Sequence, residues 1–443
     1  MTIQISPVML EPTTSNAAMK RSAYVQRLRM LAQSCSAGVQ GLESLRSRAL
    51  SLVIEQSFPT TRDEEWRFTD LSPLLDLELT VPTDMSVSLD AIAPWILPEA
   101  ESSRLVFVNG VYAADLSATT GLAGVTVAPL SQLSEASAVI DRYLAQQPGG
   151  EELFTALNTA GLTDAAVVLV SQHAAIAHPI HVLFISTGEQ TLAQPRCLVV
   201  ADPNSAATVI EEFVSLSGDR AFTNSVTEVW LGENAQVNHT RIQREANTSI
   251  HIGKTVVSQA RDSRYTCNAI SLGGAIARHN LEIHQTGENT ETVLNGLSVV
   301  RGNQLSDMHS AIALSKPHGR TNQIHKTIAD DRGHVVFNGK VFVPQLAQQT
   351  DAAQLNRNLL LSSKARVDTK PQLEIVADNV KCTHGATVGQ LDADEVFYLQ
   401  SRGIDADSAR KLLVYAFAYE IVEKIPVASL QETLTQLINT PNA

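Results

Sequence analysis

Cysteine is scarce in this chain: Cys35, Cys197, Cys267 and Cys382 are the only four in 443 residues, far apart and without paired spacing. That excludes a disulfide framework and a CxxC-type site, and it points to a reducing compartment, so a cytoplasmic location is expected. No run of eighteen apolar residues occurs, so no spanning helix and no membrane attachment are expected. The first sixteen residues lack a basic n-region and an apolar h-region, and the first eighteen lack arginine, which argues against a secretory signal and a transit peptide. Positive charge is also short, with 33 Lys and Arg against 46 Asp and Glu and a net charge of -13. Nucleic acid and anionic lipid are therefore disfavoured partners. GxxxxGK[ST], GxGxxG, GxSxG, HxxxH and HExxH are all absent. The chain has no nucleotide loop or nucleophile elbow of its own, and energy for any driven process is expected from another subunit.

What is present is a folded, mid-polarity composition, 44% hydrophobic and 18% charged, long enough for two or three structural units. From Ala17 to Gln56, Tyr24, Leu28, Leu31, Val39, Leu42, Leu45 and Leu50 recur at helical spacing. Pro59 halts that pattern before Thr60-Thr61-Arg62-Asp63-Glu64-Glu65-Trp66-Arg67, where Trp66 is expected to anchor a core or a domain interface. A strand near Leu105 to Val111 and helical stretches near Leu130 to Gln146 and Glu151 to Leu157 complete a helix-rich unit over residues 1–165.

The pattern changes near Ala165. Short β-branched runs such as Val167 to Val170, Ile180 to Ile185, Val226 to Leu231 and Thr255 to Ser258 then follow one another to about residue 390, separated by turns rich in Gly, Asn, Asp and Ser. Turn-then-strand pieces at Pro203, Gly232, Arg261 and Gly287 end on apolar Val209, Val237, Tyr265 and Val293, spaced by 28. A fixed period without helices points to stacked turns, as in a β-helix. An ordinary β-sandwich, with strands every 8 to 12 residues, fits the repeat equally well.

Beyond Asp392 the pattern is helical again, with Asp405 or Asp407 as a cap and Pro426 as a stop. Leu412 to Tyr419 is apolar on every face, so this helix must be covered by its own domain or by a partner.

Asp378 to Gly389 carries the most specific chemistry: Cys382 and His384 sit at i and i+2, on one face of an extended strand and about 7 Å apart at Cα. A thiolate and an imidazole are metal or sulfide ligands, but two donors do not close a tetrahedral site. A packed thiol beside a hydrogen-bonded histidine is the plainer alternative, and a Cys-His nucleophile pair is geometrically poor without a third group to orient the base. The remaining histidines of the β region, His239, His251, His279, His284, His309, His318, His325 and His334, are expected at exposed strand or turn positions.

Taken together, Thr60 to Leu71, Asp330-Asp331-Arg332-Gly333-His334-Val335-Val336-Phe337-Asn338-Gly339-Lys340, Asp378 to Gly389 and Phe397-Tyr398-Leu399-Gln400-Ser401-Arg402-Gly403-Ile404 resemble the SufD scaffolds of the SufB-SufC-SufD iron-sulfur cluster assembly complex. The resemblance runs from about residue 20 to the end. It implies a fold that is mainly β with helical ends: a helix-rich domain (1–165), a right-handed parallel β-helix (166–390) and a small helical domain (391–443).

It also implies a non-catalytic scaffold that pairs with a SufB-like paralogue along the β-helix and docks a SufC-like ABC ATPase through Leu412, Leu413, Tyr415, Ala416, Tyr419 and Glu420. A homodimer of the isolated chain is compatible with it. His384, and secondarily Cys382, would serve the nascent cluster at the SufB-SufD interface. No cofactor is expected to stay bound in isolation, and a transient cluster, with FAD as a further candidate, belongs to the complex.

Where SufB resembles Gln-Cys-Asp and then Leu-Ile-Gly-x-x-Cys-Gly-Ala-His-Thr, this chain has Leu355 and Ala365 in place of the two thiols. The main sulfur acceptor is therefore expected on the partner. The competing readings are a secreted-type β-helix enzyme acting on polysaccharide and a self-sufficient metal-binding protein. The first needs a carboxylate or basic cluster along one groove, and none stands out here.

Overall fold

The computed structural model describes residues 16–35, 39, 41–82, 86–120 and 122–439. The segment on which the leader and transit-peptide expectations rest lies almost wholly outside them. Among the described residues no helix is long and apolar enough to cross a membrane.

Two parallel sheets form the body, and the chain visits them alternately. One runs from Ala206–Ser215 through Gln236–Arg244, Arg264–Ser271, Glu291–Val300, Arg320–Ala329 and Asp351–Leu360 to Lys381–Gly389. The other runs from Phe222–Leu231 through Ile250–Gln259, Ile276–Gln285, Leu305–Ala313 and His334–Val343 to Arg366–Ile375. Each strand pairs in parallel with the strand one turn earlier. The result is a β-solenoid of about eight turns, not the β-sandwich that the repeat alone left open. Antiparallel neighbours would need hairpins, whereas each strand here is followed by a crossing to the opposite sheet.

The repeat is real, but its period is not fixed at 28. Paired interior positions fall at Ala207, Val237, Tyr265, Thr292, Thr321, Ala352 and Cys382, so successive steps vary between 27 and 31 residues. The paired strands keep their register, so the connections between them absorb the variation. One corner is itself regular: Asn204, Asn234, Asp262 and Asn289 adopt positive φ of 55–61°. Each backbone N–H donates to the next turn, as from Asn234 to Arg261 O at 2.9 Å and from Asp262 to Glu288 O at 3.0 Å. Asn and Asp tolerate this left-handed conformation better than other chiral residues, which explains the recurring turn composition.

Helices cover both outer faces. In the N-terminal part, α1 (Asn16–Ser34), α2 (Leu42–Glu55), α3 (Leu89–Ile92), α4 (Ala136–Arg142) and α5 (Leu153–Ala160) accompany short strands. One of these, Ser103–Val108, pairs in parallel with Ile180–Ser186 and so extends the solenoid from its N-terminal end. Tyr24, Leu28, Val53, Phe154 and Leu157 pack on Phe222, Ile250, Ile252 and Ile276 of the second sheet. Trp66 joins that cluster and lies under the Arg278 guanidinium, the interface role expected of it.

The C-terminal helices are α6 (Ala393–Ser401), α7 (Ala406–Val422) and α8 (Ala428–Asn439). Asp405 caps α7, accepting from Asp407 N at 3.1 Å and Ser408 N at 3.0 Å. Ile421, Val422, Leu430 and Leu434 then pack on Ile242, Ile270, Leu297 and Ile328 of the first sheet. Fully burying such a side chain contributes roughly 1.5–3 kcal/mol, which holds these helices to the solenoid.

Candidate functional site

The strand Lys381–Gly389 ends the first sheet, and Arg366–Ile375 ends the second. Between them the solenoid is open. Alternation puts Cys382, His384, Ala386 and Val388 on the interior side of this last turn, in the columns that begin deeper with Tyr265 and Cys267. Cys382 follows Ala352 and is half-buried against the interior cluster. His384 follows Gln354 and is exposed.

Cys382 and His384 thus share one side of an unpaired edge, as their spacing predicts. Burial, and then the Asp351 carboxylate, push the Cys382 thiol above its usual range, only partly offset by a hydrogen bond from the Ala352 backbone. Such a thiol is mostly protonated near neutrality and a poor nucleophile in the isolated chain.

Among the described residues no group of three or more His, Cys, Asp and Glu side chains is placed to hold a metal ion. The pair supplies two donors at most. Apolar side chains are exposed at this end of the solenoid: Val388 is 50% exposed on the same strand, and Leu355, Ile375 and Val376 are exposed as well. Leu355, at the first missing-thiol position, faces outward on the strand before the edge, whereas Ala365 sits in the turn leading to the other edge strand.

The exposed-histidine expectation fails for much of the set. His239, His251, His279 and His325 are buried in the solenoid interior. His239 joins Tyr265 OH at 2.9 Å to Glu211 Oε2 at 3.2 Å, and His251 joins Glu245 Oε2 at 2.6 Å to Arg241 Nη2 at 2.5 Å. Burial, foremost, holds His251 and His325 below the usual imidazole range, His325 at about 4. A polar strand context reads as solvent-facing, but here the interior is itself polar and supplies the partners. His309 and His334 are also largely buried, each against a neighbouring aspartate.

The all-round apolar helix is only half covered. Ala418, Ile421 and Val422 are buried, whereas Leu412 is 44% exposed, Ala416 is exposed, and Leu413, Tyr415 and Tyr419 are half-buried. Glu420 is drawn back to the solenoid, paired with Lys326 and lying 3.8 Å from Arg357. On α6, Phe397 is 70% and Tyr398 58% exposed. The sequence pattern marked them only as family signature, because a nine-residue helix has too few turns to show which face lacks a neighbour.

A family model described as the SufBD core domain of the SUF system for FeS cluster assembly matches residues 184–417, and one for the SufBD N-terminal region matches residues 20–182. An iron-sulfur cluster assembly SufBD family protein of Synechocystis is 46% identical over 410 residues, 90% of each chain. The iron-sulfur cluster assembly protein SufD of Escherichia coli is 34% identical over 389 residues, 86% of this chain and 89% of that one. A chloroplastic protein of Arabidopsis thaliana is 33% identical over 402 residues, 88% of this chain and 84% of its own. With both family models matched end to end on a β-solenoid flanked by helices, the chain belongs to the SufBD family of iron-sulfur cluster assembly proteins.

Proposed function

We propose that this chain is a non-catalytic half of a cluster-assembly scaffold whose working site is completed by a second chain. The observation that carries this is the open end of the solenoid: an edge strand presenting Cys382 and His384, two donors without a third, at an end where apolar side chains are also exposed. An unpaired edge with a half-built ligand set calls for a partner that supplies both strand contacts and thiolates. A SufB-like paralogue is that partner, and the absence of cysteine at Leu355 and Ala365 leaves the sulfur-accepting role to it.

His384 is the principal contributor to the nascent cluster. Its imidazole is exposed, whereas the Cys382 thiol is half-buried with its proton held tightly. The cluster is cargo, and the isolated chain keeps no cofactor of its own. The exposed side of α7 around Leu412, Leu413, Tyr415 and Ala416 is the docking surface for a SufC-like ABC ATPase. ATP-driven closure of that subunit would shift α7 and, through the Glu420 ion pair with Lys326, reach the first sheet.

The test is cluster formation by the complex reconstituted with its paralogue and ATPase. His384→Ala should abolish or strongly slow it and Cys382→Ser should slow it less, both without loss of assembly. Unchanged cluster formation in His384→Ala sinks the proposal. Stoichiometric metal on the isolated chain would favour a self-sufficient metal protein instead.

A further inference from the structure

The interior next to the open end carries an amide ladder. Gln323 Nε2 donates to Ser310 Oγ at 2.8 Å, and Gln354 Nε2 donates to Gln323 Oε1 at 2.8 Å. The second bond uses the amide nitrogen of Gln354 and so turns its Oε1 into the free acceptor. That oxygen has no hydrogen-bond partner among the described residues, although Gln354 is only 3% exposed. The amide is also wedged: a Cβ on Gly339 would come within 2.2 Å of Gln354 Nε2, so only glycine on the facing strand leaves room for it.

Gln323, Gln354 and His384 are successive members of one column, paired in register on adjacent parallel strands. Equivalent side chains one turn apart lie about 4.8 Å from each other, the spacing at which Gln323 and Gln354 already bond. The next member of the column is the exposed His384, whose ring does not touch Gln354 Oε1 in this structure; a turn of its side chain would bring a ring N–H onto that acceptor.

We propose that Gln354 is a positioning residue for His384, its Oε1 accepting one ring N–H and leaving the other ring nitrogen as a bare lone pair directed out of the open end. An imidazole binds iron through one unprotonated nitrogen, and a hydrogen bond to the opposite N–H fixes both the tautomer and the ring plane. Gln323 and Ser310 act one step further back by preventing the Gln354 amide from flipping. The assignment rests on the reading of His384 as a cluster-site residue, and it adds how the chain prepares that residue before the cluster arrives.

The test is ring ¹⁵N NMR of His384 in the full-length chain at a pH where the imidazole is neutral. The wild type should show one protonated and one bare ring nitrogen. Gln354→Glu, which keeps an acceptor, should preserve that pattern, and Gln354→Leu should collapse the two shifts toward the average of exchanging tautomers. In the reconstituted complex Gln354→Leu should lower the rate of cluster formation about 10-fold.

Averaged shifts in the wild type, or a Gln354→Leu spectrum with the wild-type pattern, overturn the proposal. The wild-type spectrum alone can do so if the Leu variant fails to fold. Failure of the underlying reading shows separately, as undiminished cluster formation in His384→Ala whatever the NMR gives.

Discussion

The Arg278 guanidinium lies 3.9 Å from the centre of the Trp66 ring, and it is held there by Asp307, whose Oδ2 accepts from Arg278 Nη1 at 2.5 Å. Asp307 Oδ2 also accepts from the Thr69 hydroxyl at 2.5 Å, and Arg278 reaches the Glu65 backbone carbonyl at 2.7 Å. Two residues from the second sheet and a short stretch around Trp66 thus form one latch, which fastens the N-terminal part to the solenoid.

Asp307→Asn should be strongly destabilising. Arg278 and Asp307 are both almost fully buried, and removing one charge strands the other in a low dielectric at a cost of about 3–5 kcal/mol. Urea denaturation of the variant beside the wild type measures this, and a loss below about 1 kcal/mol would count against the latch as a structural unit.

The same latch should loosen as pH rises. Burial alone would depress His309, but the Asp307 carboxylate overrides it and raises the imidazole above its usual range, helped by hydrogen bonds to Asp307 and Glu65. A raised histidine contributes stability that is fully present below its unfolded value, about 6.5, and is lost as pH climbs through the higher folded value. Glu65 is lowered, first by its hydrogen bond with His309, so its share is present above the ordinary carboxylate range and lost only on acidification. The stability difference between wild type and His309→Gln should therefore be largest near pH 6 and shrink on the alkaline side. A difference that grows with alkalinity would refute this account.

The corner ladder predicts a sharp dependence on residue type. Asn234 sits at φ 55°, so Asn234→Val should lose about 1–2 kcal/mol, the cost of a left-handed conformation for an ordinary chiral residue. Asn234→Gly should stay close to wild type. Thermal unfolding of the two variants side by side separates backbone strain from loss of the Asn234 hydrogen bond to Asn204 Oδ1, since both variants lose that bond.

Docking of the ATPase should depend on exposed apolar side chains of the C-terminal helices. Leu412→Asp combined with Phe397→Asp should abolish co-purification with a SufC-like ATPase. Both positions are exposed, so the change in unfolding free energy should stay within about 0.5 kcal/mol. Retention of the ATPase by the double variant would move the docking surface elsewhere.

Local chemistry was legible in the sequence, and non-local chemistry was not. The Asp405 cap, the Asn and Asp corners and the i, i+2 geometry of Cys382 and His384 each depend on neighbours within a few residues. The burial of His239 depends on Glu211 and Tyr265, 28 and 26 residues away along the chain and one turn away in space. Nothing near His239 signals that pairing. The apparent 28-residue period misleads for the same reason, since Val237 pairs with Tyr265, but Val209 pairs with His239 and not with Val237. Exposure on α6 and α7 is likewise a property of what the helices fail to meet.

The two strands at the open end of the solenoid also leave backbone without a strand partner. An isolated copy carries there a row of unpaired amides and carbonyls, with Ile375 and Val388 exposed on the same two strands, which is a template for self-addition. Supply of the chain must then be matched to supply of whatever caps it. A surplus made ahead of its partner is a solubility burden in its own right, quite apart from any chemistry left undone.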